Sequence, residues 1–225
     1  MLDDKRIRVI IGHYGSGKTE FSVNYAIALA KLSKRKVALA DLDVVNPYFR
    51  SRERFATMQA HGITVFSSQL GNNVNFDLPS LDAAIIGPLQ NEAYDVVLDV
   101  GGDATGARIL AQYRAYLKPG NFDVFAIVNA NRPETADSNG IANHLKAIES
   151  EIKAKVSGIV NNTHLLWDTT VEDVLRGQRI IEQVATEMAI PIVYVAAKRD
   201  VAKQLPAQIT GTIMPIDMHM RDSWM

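Results

Sequence analysis

Gly12-His13-Tyr14-Gly15-Ser16-Gly17-Lys18-Thr19 is the stretch that decides how this chain is read. It fits the spacing G-x-x-x-x-G-K-[ST] and follows directly on the apolar, β-branched run 7–11. Glycines at 12, 15 and 17 let the backbone curl until several N–H groups converge, and a helix opening near Lys18 adds the positive end of its dipole. That arrangement suits phosphate oxygens. Lys18 is expected to reach β- and γ-phosphates and the Thr19 hydroxyl to meet Mg²⁺, with Ser16 and Glu20 counted among the contacting positions.

Outward from this loop, short apolar runs recur at 7–12, 37–42, 63–67, 96–100, 124–129, 156–160 and 192–196. Each reads as a buried strand. Segments of helical period lie between most of them, such as Ile141, Leu145, Ile148 and Ile152. Strand and helix therefore alternate, which predicts an α/β fold: a doubly wound, mostly parallel sheet with helices on both faces, in one domain over 1–225. Thr169 with Glu172 predicts a capping box ahead of an apolar run. Residues 68–94, with Gly71-Asn72-Asn73, Pro79 and Pro88, predict a long loop carrying one short helix.

A phosphate loop in such a sheet needs carboxylates at neighbouring strand ends, because ligands sit at the carboxyl edge. Val96-Val97-Leu98-Asp99 offers one, with Asp99 as a Mg²⁺ ligand and Gly101-Gly102 behind it leaving backbone free to approach a γ-phosphate. The stretch 37–43 offers Asp41 and Asp43, which point to one face because they are two apart in a strand. Asp41 is assigned to the metal's water shell and Asp43, further out, to the attacking water. Asp103 and Thr105 are better placed than Asp99 to cap the next helix.

Composition narrows the classes. With 47% hydrophobic residues the 225-residue chain is no disordered polymer, and 24 basic against 25 acidic residues give a net charge of -1, without a global field for nucleic acid or an acidic membrane. The absence of Cys removes disulfides, thiolate metal sites and catalytic thiols. No apolar run approaches a membrane span, and Met-Leu-Asp-Asp-Lys-Arg lacks the apolar stretch of a secretion signal, so a cytoplasmic protein is expected. His61, His144 and His164 form no metal-spaced pair. Met214, Met218, His219 and Met220 are soft metal ligands by type, but such residues more often serve packing. Ile216, Met220 and Trp224 share a possible helical face.

The phosphate loop, the Asp-x-Asp ending the second strand and the Asp-x-Gly-Gly ending a later one together resemble the MinD, ParA and nitrogenase iron-protein class of P-loop ATPases. Residues 12–20 taken with 41–53 are more narrowly similar to a branch of bacterial and archaeal ATP-binding proteins. The resemblance implies MgATP binding, slow hydrolysis and a switch segment over 44–54. It also implies a base contact from an Asn at the end of the strand 156–160, here Asn161 or Asn162; no Asn-Lys-x-Asp guanine motif is present, so ATP is expected over GTP. Most MinD-like members carry a second lysine where this chain has His13, and that departure speaks against an ATP-driven sandwich dimer, leaving a constitutive dimer open. Missing cysteines exclude an iron-protein cluster.

The expected function is thus slow ATP hydrolysis coupled to a switch after Asp43, acting on an unidentified protein or an anionic small molecule. Arg50, Arg52 and Arg54 would suit the latter. A small-molecule kinase or ATP-dependent ligase, and a nucleotide-gated binding module with negligible turnover, remain alternatives.

Overall fold

A computed structural model describes residues 1–43, 52–67, 78–102 and 109–220. Its strands are β1 (Ile7–Ile11), β2 (Lys36–Asp41), β3 (Ile63–Ser67), β4 (Tyr94–Asp99), β5 (Phe122–Val128), β6 (Gly158–Asn161), β7 (Ile192–Lys198) and β8 (Thr212–Ile216). They form one eight-stranded sheet in the order β3-β2-β4-β1-β5-β6-β7-β8, and every pairing is parallel. Parallel neighbours need crossovers, and α1 (Lys18–Leu32), α2 (Arg52–Ala60), α3 (Leu78–Gln90), α4 (Ser138–Ile152) and α5 (Val171–Met188) supply them, with the short α6 (Arg199–Ala202) after β7.

The strands are apolar on both faces because both are covered. Ile7, Val9 and Ile11 of β1 join the layer containing Leu145 of α4 and Ile181 of α5, while Ile10 joins the layer containing Phe21, Tyr25 and Leu29 of α1. From β1 the chain crosses to β2 on one side; after β4 it crosses back to β5 on the other. That reversal opens a crevice at the carboxyl end of β1.

Opposite the crevice, Arg8 is 1% exposed and donates to Asp95 at 2.6 Å and to the Tyr25 hydroxyl at 3.2 Å. Tyr25 in turn donates to Asp4 at 2.6 Å, and Tyr194 donates to the same carboxylate. A buried ion pair of this kind survives only because its remaining donors are satisfied.

Several expectations need correction. An eighth strand, β8, was not foreseen; Pro215 lies within it, which an edge strand tolerates. It also removes the possible helical face of Ile216 and Met220, since Ile216 ends a strand; Trp224 lies outside the described residues. Strand β6 begins at Gly158 rather than 156. The capping box is shifted by one residue: Thr170 caps the Asp173 N–H and Asp173 returns the bond, whereas the Thr169 hydroxyl donates to the Leu166 carbonyl. Helix α3 spans 13 residues, longer than the short helix expected, with Pro88 in its last turn. Arg6 satisfies carbonyls left there, donating to Pro88 at 3.1 Å and Leu89 at 2.5 Å, and also donates to Tyr94 at the start of β4 at 3.0 Å. Residues 44–51, which hold most of the expected switch and Arg50, lie outside the described residues, as do 68–77, Asp103 and Thr105; Arg52 and Arg54 begin α2.

Candidate functional site

The loop 12–19 leaves β1 at the crevice and runs into α1. Gly17 stands at the N-cap with φ of 83°, a left-handed conformation that a side chain resists, and a Cβ there would collide with the Asn162 amide. Fastened carbonyls give the loop its shape. Asn162 Nδ2 donates to the Ser16 carbonyl at 2.7 Å, and Arg132 Nε donates to the Gly15 carbonyl at 3.0 Å, with Asn129 Nδ2 at 3.4 Å from the same oxygen. Carbonyls held by the ends of β5 and β6 free the N–H groups of a phosphate loop to face its anion.

Three of the expected carboxylates gather below. Asp41 and Asp99 are register partners on β2 and β4 and are 2% and 0% exposed; Asp43 is 8% exposed, and its N–H donates to Asp41 at 3.2 Å. Burial pushes Asp99 up to about 6; Lys18 and the Thr19 hydroxyl pull it back, Asp43 adds to the rise and Ser22 opposes it. Those hydroxyls only soften the cost, since neither Asp99 oxygen reaches hydrogen-bond geometry with a described group. A buried carboxylate left so exposed to its own charge fits a cation.

Lys18 and Thr19 are buried beside it, 7% and 5% exposed. No cluster of three or more metal-ligating side chains occurs among the described residues. Gly101 and Gly102 follow β4, and a Cβ on Gly102 would overlap the Gly12 carbonyl, so the two glycine segments lie in direct backbone contact.

A cleft open to solvent continues from the loop. Lys18, Thr19 and Asn162 form one end; Leu166, Ile216, Met218 and Met220 give the other an apolar wall. Of the two candidate base contacts, Asn162 lines this cleft. Asn161 is 0% exposed and spends its amide on the Val174 carbonyl at 3.1 Å and Gln178 at 2.9 Å, while its Oδ1 accepts from the Thr163 N–H. Glu20 also borders the cleft, but its carboxylate accepts the N–H of His219 at 2.6 Å and of Met220 at 3.0 Å. Met214 is buried within β8 and Met218 and Met220 wall the cleft, so the methionines pack.

His13 turns toward its own chain. Its Nδ1 lies 3.1 Å from the Tyr14 carbonyl and 3.7 Å from Glu134, and its ring meets His144 edge-on at 5.4 Å. Burial, then the neighbouring His13 and Lys18 side chains, lower His144 to about 4. No local motif marks Asn129 and Arg132 as site residues, and the sequence marks the tail 217–220 only for its Met and His side chains, because all of them matter through residues more than a hundred positions away.

No protein-family profile matches the sequence, and no curated protein matches it. Solved structures do. The chain is similar to FtsY from Mycoplasma mycoides (21% identity, 87% of this chain and 60% of that one, TM-score 0.54) and to the cell division protein FtsY from Thermotoga maritima (18%, 87% and 62%, 0.57). It is also similar to a nucleotide-binding protein from Archaeoglobus fulgidus in complex with ADP (16%, 88% and 84%, 0.51). The chain spans about 60% of the length of the FtsY chains it matches. With the all-parallel sheet and the strand–loop–helix around Lys18, these likenesses define the fold as that of the P-loop nucleoside triphosphatases. No helix among the described residues is long and apolar enough to cross a membrane.

Proposed function

We propose that this protein binds MgATP and hydrolyses it slowly, in the manner of the MinD, ParA and iron-protein class, using the γ-phosphate to set the segment after Asp43. The observation that carries the reading is Asp99: a fully buried carboxylate beside Lys18 and Thr19 at the mouth of a phosphate loop, neither of its oxygens in hydrogen-bond geometry with a described residue. Bound Mg²⁺ would neutralise that charge and polarise the phosphates.

In this reading the loop N–H groups and Lys18 hold the β- and γ-phosphates and stabilise charge as the terminal bond breaks. Thr19 and Asp99 ligate the metal, Asp41 orders its water shell, and Asp43 orients the attacking water. Gly101-Gly102 give the γ-phosphate backbone to touch. The apolar wall of Leu166 and the tail methionines takes the base beside Asn162. The sequence carries no Asn-Lys-x-Asp guanine motif, which favours adenine. His13 engages Glu134 and His144 of its own chain, which argues against service across an ATP-driven dimer.

The test is titration calorimetry of ADP, ATP and GTP with Mg²⁺ on the parent and on Lys18→Ala, with phosphate release followed in parallel. Tighter binding of adenine nucleotides, lost with turnover in Lys18→Ala, is expected. Equal binding by both proteins would remove the phosphate-loop assignment. Phosphate appearing on an added acceptor rather than in water would move the reading to a kinase or ligase.

A further inference from the structure

The tail after β8 is fastened to the phosphate-loop helix by the first residues of that helix. Glu20, one position beyond Thr19, accepts from the His219 N–H at 2.6 Å and from the Met220 N–H at 3.3 and 3.0 Å. One turn on, Asn24 donates to the Asp217 carbonyl at 2.8 Å and accepts from the Asp217 N–H at 2.8 Å. Arg199 adds a bidentate pair to the Asp217 carboxylate, 2.5 Å on each side. Between these bonds Met218 and Met220 line the cleft together with Leu166, and Met220 is 4% exposed. A short irregular segment is thus held by side chains bonding its backbone, and its own side chains form a wall.

We propose that Glu20 is a positioning residue that couples the phosphate loop to the base side of the cleft: it docks the tail 217–220, and the docked tail walls the slot that takes the nucleobase. This rests on the nucleotide reading above. Linkage then runs in both directions. A base lying against Met218 and Met220 stabilises the docked tail, and a docked tail raises affinity for the base, whereas a ligand made of phosphates alone fills the loop and leaves the tail indifferent.

The experiment compares ADP with inorganic pyrophosphate, each with Mg²⁺, by hydrogen exchange at the His219 and Met220 amides and by calorimetry. In the parent protein ADP should slow exchange at both amides about tenfold or more beyond pyrophosphate. Glu20→Gln, which keeps size but halves the acceptor capacity, should weaken ADP about tenfold and pyrophosphate less than twofold; Asn24→Ser, further from the loop, should do the same more mildly. Equal protection by the two ligands, or equal loss of both affinities in Glu20→Gln, would overturn the coupling. If pyrophosphate and ADP both failed to bind the parent, the nucleotide reading would fall first and the coupling with it; if both bound normally without tail protection, the coupling alone would fall.

Discussion

Asn162 donates its amide to the Ser16 carbonyl at 2.7 Å, joining the end of β6 to the middle of the phosphate loop across 146 positions of sequence. Its neighbour Asn161 faces the other way, into α5. The pair therefore divides into one residue that shapes the site and one that holds the fold. Asn162→Ala should weaken ADP about tenfold with little change in melting temperature, whereas Asn161→Ala, which strands buried groups, should lower stability by about 1–3 kcal/mol. Calorimetry and thermal melts of both variants check this, and exchanged phenotypes would refute the division.

Asp43 and Asp99 should separate in the same way. Asp43→Asn should leave ADP affinity nearly intact and slow hydrolysis about 10²-fold or more, because it removes an orienting acceptor and leaves the cradle. Asp99→Asn should raise the Mg²⁺ concentration needed for half-maximal turnover. Metal titrations of turnover for each variant decide the matter; a raised metal requirement in Asp43→Asn alone would interchange the roles.

Much of this was legible in the chain. The loop 12–19, the strand ending at Asp99 and the strand ending at Asp41 carry their chemistry in contiguous residues, and apolar runs between glycines leave little choice of element. What stayed hidden was pairwise. Strand β8 contains only five residues, one of them a proline, too little for periodicity to speak. Arg132 belongs to a loop without a pattern, and its meaning arises only when folding brings it onto the Gly15 carbonyl. Glu20 is visible as a neighbour of Thr19, but its partners are some 200 positions later.

Gly102→Ala tests the contact of the two glycine segments. A Cβ there overlaps the Gly12 carbonyl oxygen and crowds His13 Cα at 3.3 Å, so the loop must shift. A loss of ADP affinity of about tenfold or more is expected, since even 1.4 kcal/mol has that effect. Gly87→Ala is the control: it lies exposed in α3 with open space around a Cβ, and should be neutral or stabilising by up to about 1 kcal/mol. Parent-like ADP binding by Gly102→Ala would mean the segments are free to part.

His144 predicts a pH dependence. Its value is lowered to about 4 in the folded protein against an ordinary 6.5, so on acidification the unfolded chain takes up the proton first. The stability this neutral ring contributes is full above pH 6.5 and drains away as pH falls from 6.5 towards 4. In urea titrations at pH 7, 6 and 5, His144→Gln should lose less stability over that interval than the parent. Parallel slopes would show that His13, Lys18 and Glu134 around the ring leave its titration unchanged by folding.

The cleft is gripped unequally at its two ends. Side chains just beyond β5 and β6 hold the phosphate loop at successive carbonyls, while the wall proposed for the base hangs on one tail and the helix residues that bond it. Substitutions in that tail can therefore reshape which base is accepted while the triphosphate end keeps its geometry. Descendants of such a chain are free to diverge in cargo without relearning how to handle energy-rich bonds.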